Sequence, residues 1–355
     1  MKVLTTTGYV TFRLTGRTVM NHSDAGILLS YDLRKRQWSD EALACMDLPR
    51  NIFSDLAPCH QVIGQITPEA VAQTGLPAGL SVVAGGEDTS SAGLAMGVIS
   101  EKDVQLSMGS ASTIYVPVRQ PIFDSRLLAF PHVVDGLTLL GGSMVAGGLA
   151  SDWAIKLLSE GSKSEALNLL TAQAAQIESG SEGLIFLPYL AGELQPVNDG
   201  FARGVFMGLG LDTSRAHLFR AVLEGTAFAI AHNLALANES GAFPAQILAV
   251  GGPVRNDLWC QIIADITDKP VFRATTTEAA ALGAGILAAT AVGWYANARE
   301  AAQEMTHIVP QPIEPDAASH AFYDRLFEEV YRPLFPALQP YLDRLASLSN
   351  SNQSI

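Results

Sequence analysis

Val82-Val83-Ala84-Gly85-Gly86-Glu87-Asp88-Thr89-Ser90-Ser91-Ala92-Gly93 runs an apolar segment into a glycine pair and then into two adjacent carboxylates. The apolar part reads as a buried strand that the glycines stop. Ligands of open α/β sheets collect outside the carboxyl ends of strands, so Asp88 stands where chemistry is done. Glycine beside it lets a substrate or phosphate approach the backbone. The same Asp88 also suits the N-cap of a helix through Ala92 to Met96, taking up the first free amides. Taken alone, the segment leaves both roles open.

The layout recurs further along the chain. Gln246-Ile247-Leu248-Ala249-Val250-Gly251-Gly252 is again a strand and a glycine pair, followed by a turn to Asp257 and a helix from Leu258 to Thr267. Two such units facing one cleft are expected of a duplicated α/β architecture, although the repeat is not strict. Pro253 and Val254 follow the second glycine pair, which suits a flat or phosphorylated ligand better than acid–base chemistry. Between the units, Val104 to Val116 predicts two strands joined at small hydroxyl residues, a hairpin whose backbone amides and hydroxyls suit an anion. A strand over Leu137–Leu140 then leads through Gly141-Gly142 to Gly147-Gly148, ahead of a helix carrying Trp153. Glycine just before a helix N-terminus again suits a phosphate.

Composition narrows the class. The 355 residues suit about two domains, and 48% apolar residues, 16% charged residues and 31 glycines fit a buried-sheet α/β enzyme. A net charge of -13 argues against a nucleic-acid partner. A polyanion such as ATP would need backbone amides and a metal rather than bulk positive charge. Cys45, Cys59 and Cys260 have no CxxC spacing, so neither a disulfide framework nor a zinc site is expected, and the compartment is expected to be reducing. His217 and His232 read as structural helix residues. Ala279 to Ala296 reads as an Ala/Gly-rich core helix rather than a membrane span. Without a signal segment after Met1, a cytoplasmic protein with no membrane partner is expected.

The remaining stretches are punctuated by caps. A helix ends at Gly16, and Trp38-Ser39-Asp40 caps another that runs through Ala42 to Met46. Residues 51–79 read as irregular, with Pro68 and Pro77 as breaks. Leu184–Leu187 is a strand broken at Pro188, and Ser214 caps a long amphipathic helix. Pro315 to Leu348 has a helical pattern, and residues 341–355 are expected to form a flexible tail.

Taken together, these residues resemble the FGGY family of carbohydrate kinases. Gly204-x-Phe206-x-Gly208-Leu209 with His217-Leu218-x-x-Ala221-Val222-Leu223-Glu224 resembles the family's C-terminal signature at every defined position. Ala84-Gly85-Gly86-Glu87-Asp88 resembles its Gly-Gly-Gly-Asp element, with Glu87 where glycine is common. Gly109-Ser110 matches the phosphate hairpin, and Gly147-Gly148 resembles the second phosphate-contacting pair, with Trp153 one position later than expected. Gly251-Gly252 with Asn256 and Gln261 resembles the adenosine element. Leu187 to Glu193 and Asn198 to Gly204 look most like xylulokinases, although Leu194-Gln195-Pro196 stands where Arg-Thr-Pro is usual.

The resemblance implies an actin-like ATPase (ribonuclease H-like) α/β fold. It implies one complete C-terminal lobe and a remnant of the N-terminal lobe, since the opening Asp-x-Gly-Thr hairpin is not found. Residues 1–92 would be the remnant of the sugar-binding domain and 93–340 the nucleotide-binding domain. Cofactors would be ATP and Mg²⁺. Asp88 would be catalytic base, substrate ligand and metal ligand, with Glu87 also facing the substrate. Gly109, Ser110, Gly147, Gly148, Gly251, Gly252 and Asn256 would bind the nucleotide. The partner would be a small sugar or polyol, with a homodimer or a separate N-terminal fragment as a further partner. Alternatives are a nucleotide-binding pseudoenzyme, half of a split kinase, a filament-forming or chaperone-type ATPase, or a kinase for ribulose, glycerol, gluconate or a tetritol. An apolar patch is expected to be exposed around Val82, Val83 and the helix containing Leu14.

Overall fold

The structure, a computed structural model, describes residues 1–145 and 147–351. Its first part alternates short elements: α1 (Thr6–Thr15), β1 (Val19–Asn21), α2 (His22–Gly26), β2 (Tyr31–Asp32), β3 (Gln37–Trp38), α3 (Asp40–Cys45) and β4 (Asp55–Ala57). They are followed by β5 (Val62–Gln65), α4 (Pro68–Thr74), β6 (Ser81–Val83) and α5 (Asp88–Ala95). Next come β7 (Asp103–Met108), β8 (Ser112–Val118), β9 (Leu128–Pro131), β10 (Thr138–Met144), α6 (Gly148–Leu158) and α7 (Lys163–Ala174). After β11 (Ile185–Leu187) and β12 (Val205–Met207) lie α8 (Arg215–Glu239), β13 (Gln246–Val250), α9 (Asp257–Thr267) and β14 (Val271–Arg273). The chain closes with α10 (Ala279–Ala291), α11 (Ala298–Met305), α12 (Ala317–Leu326) and α13 (Arg332–Ser351).

Six strands make the main sheet, in the order β14-β13-β7-β8-β10-β9. Strands β7, β8 and β10 are antiparallel neighbours, and β13 and β14 extend the sheet in parallel from β7. The parallel part is buried on both faces, as such sheets need to be. Ile247 and Ala249 point into a core shared with α6, α8 and α9, while Leu248 between them packs on Met96 and Val98 on the other face. That period of two sets the layers: helices α6–α9 on one side, and α5, α10 and α11 on the other. Gly283 of α10 has no room for a Cβ against the carbonyl of Ser91, which lets α10 lie close along α5.

Caps and turns follow the sequence where their chemistry is local. Thr5 caps α1 and Gly16 ends it in the left-handed region, Ser39 caps α3, and His217 accepts the Ser214 N–H at the start of α8. Other expectations are corrected. Residues 51–79 are not irregular, since they hold β4, β5 and α4, with Pro68 in the first turn of α4, where its missing N–H is no loss. The strand of the opening motif, β6, lies outside the main sheet and pairs only with β5 in a two-stranded ribbon. Residues 341–351 continue helix α13 rather than forming a flexible tail, and 352–355 lie outside the described residues. Val82, Val83 and Leu14 are themselves half-buried, while the exposed apolar side chains nearby are Val62, paired with Val83, Leu80 ahead of β6, and Tyr9 and Val10 on α1. Among the described residues, no helix is long and apolar enough to cross a membrane.

Candidate active site

Helix α5 resolves the two readings of the opening motif. Its N-cap is Glu87, whose carboxylate accepts the N–H of Thr89 at 3.1 Å and of Ser90 at 2.8 Å. Asp88 is therefore the first helical residue, with an exposed carboxylate that is not used as the cap. Neighbouring elements hold this corner. Ser23 Oγ accepts the Glu87 N–H at 2.9 Å and donates to Asn21 at 2.7 Å, and Gln105 from β7 donates to the Thr89 carbonyl at 2.7 Å. Ser90 Oγ in turn accepts the Val133 N–H at 2.8 Å.

The two carboxyls titrate apart. Burial, with a hydrogen bond to Asp88, pushes Glu87 up from 4.5 to about 7. The hydrogen bond from Glu87 lowers Asp88, which therefore stays a carboxylate at neutral pH. Beneath them Asp24 is raised by burial, with hydrogen bonds from Asn21 and Thr7 opposing the shift. Cys59, also beside Ser23, is pushed to about 11 by burial.

Across the sheet lies a cleft of about 730 Å³, within the range of small-ligand sites. Its lining includes Gly109 and Ser110 from the β7–β8 hairpin, Gly148 from α6, and Gly252 and Asn256 beside α9. The hairpin and the helix start are locked together: the Gly148 N–H donates to Gly109 O at 2.8 Å and the Leu149 N–H to Ser110 O at 3.0 Å. A Cβ on Gly147 would overlap Ser112, and one on Gly148 would overlap the Gly109 carbonyl. Gly251, at φ 117°, abuts the Met108 carbonyl behind the cleft. Gly147 and Gly251 are thus close-packed residues outside the lining, while the other five line the cleft.

Two details differ from expectation. The Gly109 N–H is taken by Ala111 O at 2.9 Å, so among the described residues it is the amides of Ser110 and Ala111 that have no protein acceptor. Gln261 does not join the cleft, because its amide donates to Asp265 and to the Glu314 carbonyl. Asn256 caps α9 through the Trp259 N–H at 3.2 Å and donates to Thr171 at 2.9 Å, tying α9 to α7. Helix α7 forms a wall that the motifs did not reveal. Lys163, Asn168 and Thr171 line the cleft from it, and Lys163 spans to Asp152 of α6 at 2.8 Å. The one sequence signal for this wall was the Ser162 cap. Trp153 faces away, stacked on Phe186 in the core. Asp88 is not among the residues lining this cleft, and among the described residues no three or more His, Cys, Asp or Glu groups are placed so that they could hold a metal ion.

Comparison with known proteins bears on both parts. Residues 1–95 match the N-terminal domain, and residues 104–292 the C-terminal domain, of the FGGY family of carbohydrate kinases. A xylulose kinase from Escherichia coli is 32% identical over 349 residues, spanning 95% of this chain and 69% of the relative. One from Bacillus subtilis is 28% identical over 92% of this chain and 65% of the relative. The crystal structure of xylulose kinase from Rhodospirillum rubrum superposes with a TM-score of 0.90 at 33% identity, over 96% of this chain and 69% of the other. That of gluconate kinase from Lactobacillus acidophilus also gives 0.90, at 27% identity and over 97% and 69% of the two chains. The fold is thus the α/β actin-like ATPase fold of these kinases, and the chain spans 65% to 69% of these relatives' length.

Proposed function

The chain belongs to the FGGY family of carbohydrate kinases, and from that membership we propose that it transfers the γ-phosphoryl group of ATP to a hydroxyl of a small sugar, a xylulose-like ketose in the first instance. One observation carries the reading. Gly109, Ser110, Gly148, Gly252 and Asn256, scattered in sequence, line a single cleft of nucleotide size. In this reading residues 1–92 face the sugar and residues 93–340 bind the nucleotide.

Phosphoryl transfer asks the protein for position and charge rather than covalent chemistry. The Ser110 hydroxyl and the amides of Ser110 and Ala111 would hold phosphate oxygens, and Gly252 and Asn256 the adenosine end. Gly147 and Gly251 contribute by letting the hairpin, α6 and β13 meet without Cβ atoms between them. Asp88, ionised and exposed, would accept the proton of the sugar hydroxyl as its oxygen bonds to the γ-phosphorus and the bond to the ADP oxygen breaks. A lone exposed carboxylate also fits the donor set of a magnesium ion, which takes one or two carboxylates together with substrate phosphates. Asp88 would hold that ion, whose charge offsets that of the phosphates. Glu87, protonated up to about pH 7, would stand beside the sugar with its one proton donated to Asp88.

A sugar acid is the second choice of acceptor, because the gluconate kinase superposes as well as a xylulose kinase does. Ribulose, glycerol and tetritols complete the panel. The test is a coupled ADP-release assay with Mg²⁺ on this chain across that panel. Turnover that depends on one sugar supports the kinase reading and names the acceptor. ADP binding without sugar-dependent turnover would replace it with a nucleotide-binding protein lacking kinase activity.

A further inference from the structure

Strand β10 is paired with β8 from Thr138 to Met144, but β9 accompanies it only as far as Gly141. Beyond that point two backbone amides on the open edge are met by side chains instead of a strand. The Ser143 N–H donates to Gln195 Oε1 at 3.0 Å, and the Val145 N–H donates to Glu193 Oε1 at 2.7 Å. Two amides two residues apart meet two oxygens from residues two apart, which is the spacing of a strand. The loop that offers these oxygens is itself braced. Glu193 and Asp199 exchange backbone hydrogen bonds of 2.9 Å, and the Gln195 carbonyl accepts from Asn233 of α8 at 3.1 Å. Glu193 is 4% exposed and also accepts the Leu194 N–H at 2.8 Å. A buried amide left without its acceptor costs more than the net worth of the bond itself.

Val145 stands two positions before Gly147-Gly148 at the start of α6, which abut the Gly109–Ser110 hairpin. We infer that Glu193 and Gln195 are positioning residues for the phosphate end of the cleft. They complete the edge of β10 and so fix where the glycine turn meets the hairpin. The inference rests on the reading of the cleft as a nucleotide site. The adenosine end is built from α7 and α9 and does not depend on these bonds, so the two ends of a nucleotide respond differently.

The experiment is calorimetric titration of MgADP and of adenosine into the full chain and its variants. Glu193→Ala is expected to weaken ADP binding about tenfold, a change of about 1.4 kcal/mol, while adenosine shifts less than about twofold. Glu193→Gln keeps an acceptor oxygen and recovers most of the loss, and Gln195→Ala costs roughly threefold for ADP. Equal losses for ADP and adenosine would mean a general structural role and overturn the inference. Wild-type affinity for ADP in Glu193→Ala would overturn it while leaving the nucleotide cleft intact. If the unaltered chain binds neither ligand, the nucleotide reading itself fails and the inference falls with it. Should Glu193→Ala not fold, Gln195→Ala decides by the same ratio.

Discussion

Val82–Asp88 and Gln246–Asp257 share a layout yet end in different surroundings. Strand β13 lies between β7 and β14 and feeds two cores, whereas β6 has only β5 beside it, with a register shift between Val62 and Gly64. Each strand turns through a left-handed glycine, Gly85 at φ 74° and Gly251 at 117°. Each then starts a helix by a cap followed by an aspartate: Glu87 and Asp88 in one, Asn256 and Asp257 in the other. Asp257 is paired with Arg273 at 2.6 Å, while among the described residues no cation pairs with Asp88. The same backbone device therefore yields a neutralised wall in one place and a free carboxylate in the other. What distinguishes them is the neighbouring charge, not the glycines.

The comparison is open to direct tests. The largest effect is expected from Asp88→Asn, which should lower sugar-dependent turnover by about 10²–10⁴-fold, the range for a general base, and leave adenosine affinity unchanged. Asp257→Asn in the same steady-state assay should keep most of the turnover. Equal losses would erase the distinction between the two units.

A smaller effect separates the two glycines of the second unit. A Cβ on Gly251 meets the Met108 carbonyl at a φ that side chains rarely adopt, whereas Gly252 has open space around it. Gly251→Ala should cost about 2–3 kcal/mol in denaturant unfolding from strain and overlap, and Gly252→Ala less than about 0.5 kcal/mol. A neutral Gly251→Ala would show that the close approach of β13 and β7 is not needed.

The smallest effect concerns the cap of the first unit. Glu87 binds its proton more tightly in the folded chain, up to about pH 7 against an ordinary 4.5, so folded stability falls as pH rises through that window. Asp88 acts in the opposite sense, its share being lost as pH falls below the usual carboxylate range. Glu87→Gln keeps a capping oxygen and should flatten the stability profile between pH 4.5 and 7. It should also remove an inflection near pH 7 from kcat/KM, since only ionised Glu87 stops donating to Asp88 and makes it a stronger base. An unchanged inflection would assign that titration to another group.

Much of this was legible in the sequence because its physics is local. The glycine turns, the Ser39 and Ser214 caps and the β7–β8 hairpin depend on residues a few positions apart. Which of two adjacent carboxyls caps α5 was not legible, because it turns on the extended backbone of Glu87 (φ -61°, ψ 143°) and on Ser23 reaching in from 64 positions away. The ribbon placement of β6 was equally hidden: an apolar run reads alike whether it joins a large sheet or a pair. Helix α7 carries no motif beyond its Ser162 cap, and its polar face becomes a cleft wall only through Asn256 and Thr171 meeting across 85 positions.

Helix α5 begins beside the ribbon but lies along α10, from the far end of the chain, with Leu94 and Ala95 in the core they share with Ile286, Leu287 and Ala301. In terms of cooperative unfolding units, it is therefore part of the sheet-bearing body and not of the short-stranded region that precedes it in sequence. Hydrogen exchange of the amides of residues 91–95 should accordingly follow the slow class of β7 and β13, even where β5 and β6 open. The carboxylate at its tip would then keep a fixed distance from the nucleotide cleft while the ribbons breathe.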